Sequence, residues 1–133
     1  MNPPRVKLRL DDPGRSFEPG DTLSGQYSLD GVPAQDVRRI ELSVLWHTQG
    51  KGDEDMSVHY FQSVEPRNGD EVDFREPRAF STTLPNSPLT YHGLIVKICW
   101  RVRLRAFLAR GKQLSFETPF ELGHVPRAHE AAR

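Results

Sequence analysis

The chain has little of what most function classes require. One cysteine, Cys99, stands in 133 residues, which excludes an internal disulfide framework and fits a reducing compartment. Net charge is missing too. Eighteen Lys and Arg balance 18 Asp and Glu, so no global field draws the chain to nucleic acid, and any such interaction has to rest on a local patch. No apolar run approaches the roughly twenty residues of a membrane-spanning helix, and residues 1–5 lack the apolar core of a secretory signal. The expectation is a cytoplasmic protein without a transmembrane segment. Gly-x-Ser-x-Gly, a phosphate loop and paired carboxylates are all absent, so no enzyme is expected and no catalytic residue is assigned. The five histidines, His47, His59, His92, His124 and His129, hold no metal-ligand spacing and only Cys99 could join them. Neither a metal nor another cofactor is expected. Helical periodicity is missing as well, and nothing calls for a helix of more than a turn or two.

What the chain does have is period two. From Leu94 onward the even positions Leu94, Val96, Ile98, Trp100, Val102, Leu104 and Ala106 are apolar, and the odd ones include Lys97, Arg101, Arg103 and Arg105. Successive strand side chains point to opposite faces, so this run describes a sheet with one dry face and one wet, basic face. A strand from Leu94 to Phe107 would span roughly 45 Å at about 3.4 Å per residue. A bend, a bulge or a crossing between sheet regions is therefore expected within it.

Shorter runs of the same kind precede and follow it. Val6, Leu8 and Leu10 face inward from residues 5–10, and Asp11-Asp-Pro-Gly stops that strand. Glu18-Pro-Gly-Asp makes a turn, because proline presets φ and glycine accepts positive φ. Leu23, Gly25, Tyr27 and Leu29 then alternate with polar residues, and Gly25 permits a bulge or a close sheet approach. Ile40, Leu42, Val44 and Trp46 share one face of the next strand, with Leu45 an apolar exception on the other. Residues 57–64 leave their register open, since Val58, Tyr60 and Val64 compete with His59 and Phe61 for the inner face. Residues 65–78 read as a surface connection with a short strand at Val72–Phe74. Arg110-Gly-Lys turns the chain into a last strand with Leu114, Phe116, Thr118, Phe120 and Leu122 inward. Trp46 and Trp100 are both expected in one core. The sum is an all-β, immunoglobulin-like antiparallel β-sandwich of seven or eight strands over residues 1–123, with a disordered tail over 124–133.

Two local features could contact a partner. Lys51, Asp53, Glu54 and Asp55 form a charged loop beside Gly50 and Gly52. It lacks the ligand order of an EF-hand, so it reads as a solvated hairpin tip or a partner-contacting loop rather than a calcium site. Lys97, Arg101, Arg103 and Arg105 form a basic stripe, joined by Arg5, Lys7 and Arg9 if the first strand lies alongside. Outward Glu41, Glu117 and Glu121 are placed to neutralise part of it, leaving the Lys97 end for contact. Cys99 falls on this wet face beside Lys97 and Arg101 and reads as an inert, half-covered thiol.

Leu84-Pro-Asn-Ser-Pro-Leu-Thr-Tyr-His-Gly, leading into the long strand Val96-x-Ile98-x-Trp100-x-Val102, resembles the arrestin-like superfamily, as does Phe17-Glu-Pro-Gly-Asp-Thr-Leu-Ser-Gly upstream. The two motifs fall in that family's order and span most of residues 17–123. Arrestins carry two sandwiches in tandem, and this chain resembles one. The resemblance implies an arrestin-type sandwich and a non-catalytic scaffold or adaptor that binds another protein through a sheet edge or loop end. Arrestins sense phosphorylated partners through basic residues that include adjacent first-strand lysines. Here Arg5, Lys7 and Arg9 are separated by apolar residues, so that role does not carry over. A single sandwich leaves sheet edges that invite pairing, which implies a homodimer or capture of a partner. The alternative from the residues alone is a sandwich that binds an anionic ligand, nucleic acid or acidic lipid, through the basic stripe.

Overall fold

A computed structural model describes residues 3–50, 52, 54–66 and 72–123. Lys51, Asp53 and the tail from His124, with His129, lie outside the described residues. Among the described residues nine strands form: β1 (Arg5–Leu10), β2 (Ser16–Phe17), β3 (Thr22–Asp30), β4 (Val37–Gly50), β5 (Met56–Val64), β6 (Arg78–Thr83), β7 (Tyr91–His92), β8 (Val96–Leu108) and β9 (Gln113–Leu122). β2 and β7 have two residues each; the other seven are longer. They make a three-stranded sheet in the order β1-β3-β6 and a six-stranded sheet in the order β2-β9-β8-β4-β5, with β7 beside β8. The pairing is antiparallel except at one place, where β2 runs parallel to β9 with Phe17 opposite Leu122. This parallel pair departs from the all-antiparallel expectation. It arises because the Asp11–Arg15 connection carries the chain from the small sheet to the large one.

The inward residues of the two sheets form one core that includes Leu10, Phe17, Tyr27, Leu42, Trp100 and Phe120. Each such side chain contributes about 1.5–3 kcal/mol when fully buried. Trp100 is 1% exposed, and Trp46 is partly buried against the same core. The indole of Trp100 donates from Nε1 to the Pro88 carbonyl oxygen at 2.8 Å, which fixes the Leu84–Thr90 crossing between sheets onto the middle of β8. Gly25 sits where β1, β3 and β6 converge. A Cβ there would collide with the Arg9 carbonyl and approach the Phe80 ring to 2.9 Å, so the glycine serves close approach rather than a bulge.

Of the irregularities expected in β8, the structure shows a change of neighbour rather than a bulge, from β9 as far as Trp100 to β7 at Ile98 and Lys97. Two expectations need correction. Leu94 is not inward. It is 92% exposed and Ile95 74%, because Gly93 donates its N–H to the Val96 carbonyl at 3.1 Å and closes a hairpin turn there. The apolar alternation thus continues in sequence past the point where the strand begins. Val72–Phe74 is not a strand. Phe74 is nonetheless buried, and its carbonyl accepts from the Leu29 N–H at 2.8 Å.

The open register of β5 resolves into a bulge. Val44 lies opposite Tyr60 and Leu45 opposite Val58, so His59 is the extra residue. Tyr60, Gln62 and Val64 face in, while Met56, Val58 and Phe61 face out beside His47, Leu45 and Ser43. The bulge turns His59 toward the small sheet, where its Nε2–H donates to the Thr83 carbonyl at 2.8 Å.

Candidate functional site

The two sheets are unequal, and the inequality makes the site. Three strands cannot cover the inner face of a sheet five strands wide, so the two sides of the sandwich close differently. On the β5 side they are braced by polar links. Tyr60 donates to Gln62 Oε1 at 3.0 Å, Gln62 Nε2 donates to the Tyr27 hydroxyl at 2.8 Å, and His59 reaches Thr83. Burial pushes the Tyr27 hydroxyl pKa above its ordinary value, which keeps it neutral as an acceptor and donor. On the β1 side a groove of about 540 Å³ opens between β1, the Asp11–Ser16 connection and β9.

The floor of that groove is aromatic. Phe17 and Phe120 meet edge to face with centroids 5.8 Å apart, and Phe120 tilts against Trp100 at 5.7 Å. Leu8 and Leu10 form one wall, and Phe116 and Thr118 the other. Phe116 holds an inward register position opposite Leu104 yet is 45% exposed, because it lines the open groove rather than the closed core. At the mouth Arg15 rests over the Phe17 ring at 4.9 Å while paired to Asp21 at 2.9 Å, and His92 lies 3.4 Å from Glu121. Among the described residues β1 pairs with β3 on one side only, so its other edge runs along the groove without a strand partner there. The volume suits side chains of an inserted segment, and the edge offers backbone groups to one.

The basic stripe is largely braced within its own sheet. Glu117 takes Arg101 at 2.6 Å and Arg103 at 3.1 Å, and Glu41 takes Arg105 at 3.1 Å and Arg39 at 2.9 Å. Arg39 also stacks on the Phe107 ring at 3.9 Å. Glu121, the third acid expected there, turns to His92 instead. Leu45, the apolar exception on this face, is buried between Val58 and Arg101, covered in the way that long arginine stems shield apolar surface. Arg5, Lys7 and Arg9 do not join the stripe. β1 belongs to the other sheet, and Lys7 pairs there with Asp30 at 2.6 Å.

Lys97 is exposed at the far end of the stripe, opposite Gln49. Glu54 and Asp55 lie at that same end, where the Asp55 N–H donates to Thr48 Oγ1 at 2.8 Å. The structure thus brings Lys97, Glu54 and Asp55 to one end, beside the exposed Leu94 and Ile95, and sets Arg101, Arg103 and Arg105 along the middle of the face.

His47 and His59 do not pair, because the bulge puts them on opposite faces. His47 stands across from Cys99. Gln49 Nε2 donates to His47 Nε2 at 3.0 Å, and His47 Nδ1 is shielded without a hydrogen-bond partner among the described residues. Burial, then Arg101, lowers the His47 pKa. Among the described residues no group of three or more His, Cys, Asp or Glu converges as metal ligands would, and no helix is long and apolar enough to cross a membrane. The groove had only a faint signal in the sequence: Phe116 and Thr118 alternate like core residues, and nothing in one strand reveals how wide the opposing sheet is.

No protein-family model and no curated protein matches the sequence. Similar solved structures include the sporulation control protein Spo0M from Bacillus subtilis, with TM-score 0.60 and 18% identity over 92% of this chain. The chain spans 50% of the Spo0M length. A superoxide reductase, neelaredoxin, from Ignicoccus hospitalis superposes with TM-score 0.51 and 12% identity over 92% of this chain and 81% of its own. At these identities the likeness is one of fold, a two-sheet β-sandwich.

Proposed function

We propose that the chain is a non-catalytic, arrestin-like protein-binding module that takes an extended segment of another protein into the groove between β1 and β9. The observation that carries this reading is the free edge of β1 running along an apolar groove of about 540 Å³. Strand addition supplies backbone hydrogen bonds, and alternate side chains of the added segment drop into the pocket. The segment fitted to it carries apolar residues at every second position, because the groove floor is Phe17, Phe120 and Trp100. Half the length of a sporulation control protein shares this fold, which accords with a regulatory scaffold. The anionic-ligand alternative is weaker, since Glu41 and Glu117 already occupy Arg39, Arg101, Arg103 and Arg105.

The test is a selection of unstructured peptides on the immobilised chain, followed by titration of the winning peptide. Phe116→Ser, half exposed in the groove wall, weakens that peptide at least about tenfold, and amide shifts cluster on β1 and β9. A peptide whose affinity is unchanged by Phe116→Ser, or that shifts only the arginine face, overturns the reading.

A further inference from the structure

β5 is an edge strand unlike the other edges of the molecule. Among the described residues it pairs only with β4, and its nine residues, Met-Ser-Val-His-Tyr-Phe-Gln-Ser-Val, contain no lysine, arginine, carboxylate, proline or glycine. Sheet edges are ordinarily blunted by charge, proline, shortness or a bulge. β1 carries Arg5, Lys7 and Arg9, β6 begins at Arg78 directly after Pro77, and β2 has two residues. Only the single bulge at His59 interrupts β5. Three of its four outward side chains are large and apolar: Met56 is 57% exposed, Val58 47% and Phe61 52%.

We propose that β5 pairs antiparallel with β5 of a second copy across a two-fold axis, joining the two large sheets into one. The partner is a second copy for two reasons. An uncharged strand meets itself with no like charges along its paired length. The bulge then fixes a self-complementary register. Outward residues fall at Met56 and Val58 before His59, and at Phe61 and Ser63 after it, so the bulge changes their parity from even to odd. Residues opposed in an antiparallel pair share a face. A two-fold between His59 and Tyr60 therefore sets Val58 against the second copy's Phe61, Met56 against its Ser63 and inward Ser57 against its Gln62. Shifting the pairing by one residue opposes outward to inward side chains for every pair that spans the bulge. The resulting outer patch, Val58 and Phe61 from each copy, continues onto the buried Leu45.

The ends of the strand set the salt response. Glu54 and Asp55 precede β5 and Glu65 follows it, and the register brings Glu54 close to the second copy's Glu65. These like charges oppose association and are screened by salt. The dimer consequently tightens as ionic strength rises, the reverse of an association held by ion pairs.

Sedimentation of the full chain over a concentration series, at low and moderate salt, reads this directly. Dimer is expected at high concentration and increases with salt. Val58→Lys and Phe61→Lys, both at exposed positions, each weaken it at least about tenfold without loss of β circular dichroism. The register has its own readout on a Cys99→Ser background. Oxidising a mixture of Val58→Cys and Phe61→Cys chains gives a disulfide-linked heterodimer, whereas either chain alone does not cross-link, since disulfides need Cα atoms within about 7 Å. A folded chain that stays monomeric at every concentration overturns the proposal, as does a dimer indifferent to both lysine variants. Cross-linking of Val58→Cys chains with themselves overturns the register. Loss of peptide capture by Phe116→Ser leaves this dimer intact, so the two readings fail separately.

Discussion

His47 shows how one residue answers to both of its neighbours across the sheet. Its ring accepts from Gln49, its other nitrogen is shielded, and Arg101 lies on the adjacent strand. Burial and that guanidinium both disfavour the imidazolium, so the pKa falls below its ordinary value of 6.5. The unfolded chain then binds a proton before the folded one does. Stability rises with pH wherever the unfolded state holds more protons, so this contribution is fully present above the unfolded value and lost as pH falls through it toward the folded one. Urea midpoints should therefore drop as pH is lowered from about 7 to about 5.5, and by less in His47→Gln. An equal drop in both chains would assign the pH response to other groups.

At the scale of elements, the strands that the sequence makes plain are those whose alternation meets a full sheet on the other side. β3, β4 and the Trp100–Ala106 part of β8 follow their patterns because their inward residues pack into the shared core. The pattern fails where tertiary context ends, as at Leu94 and Ile95, which keep an apolar rhythm beyond the strand. β5 was ambiguous because a bulge mixes two periods, and a one-residue insertion is invisible to a parity count. The candidate site was legible only in part, since charge spacing located the arginines and their glutamates, while the groove depends on the relative widths of two sheets. β5 also shows how an edge strand is held without charge. Gln62 joins Tyr60 to the buried Tyr27 hydroxyl, and a buried hydroxyl stripped of its partner costs about 1–3 kcal/mol. Gln62→Leu should lower stability by about that amount. Combining it with Tyr27→Phe should recover part of the loss, because both polar partners are then gone. A strictly additive double variant, measured by urea unfolding, would show that the link is not coupled.

For the whole molecule, the consequence of unequal sheets is that apolar surface is divided between stability and availability. Phe120 and Phe116 stand four residues apart on the inner face of β9, and the sequence treats them alike. Phe120 lies under the aromatic stack at 8% exposure, whereas Phe116 is 45% exposed in the groove wall. Truncating a buried phenylalanine typically costs about 3–5 kcal/mol, transfer and cavity together. A half-exposed ring in a groove leaves no sealed cavity when it is removed, and its remaining burial accounts for about 1 kcal/mol. Phe120→Ala should thus bring a domain of ordinary stability close to unfolding, while Phe116→Ser stays folded and loses peptide capture. The comparison separates two architectures. If Phe116→Ser destabilises the chain as much as Phe120→Ala, the β1 side is a sealed core and its groove is not a surface held open for a partner. If the two costs diverge as their exposures do, the molecule keeps one edge of its sandwich outside its own stability, where an added strand can supply the missing cover.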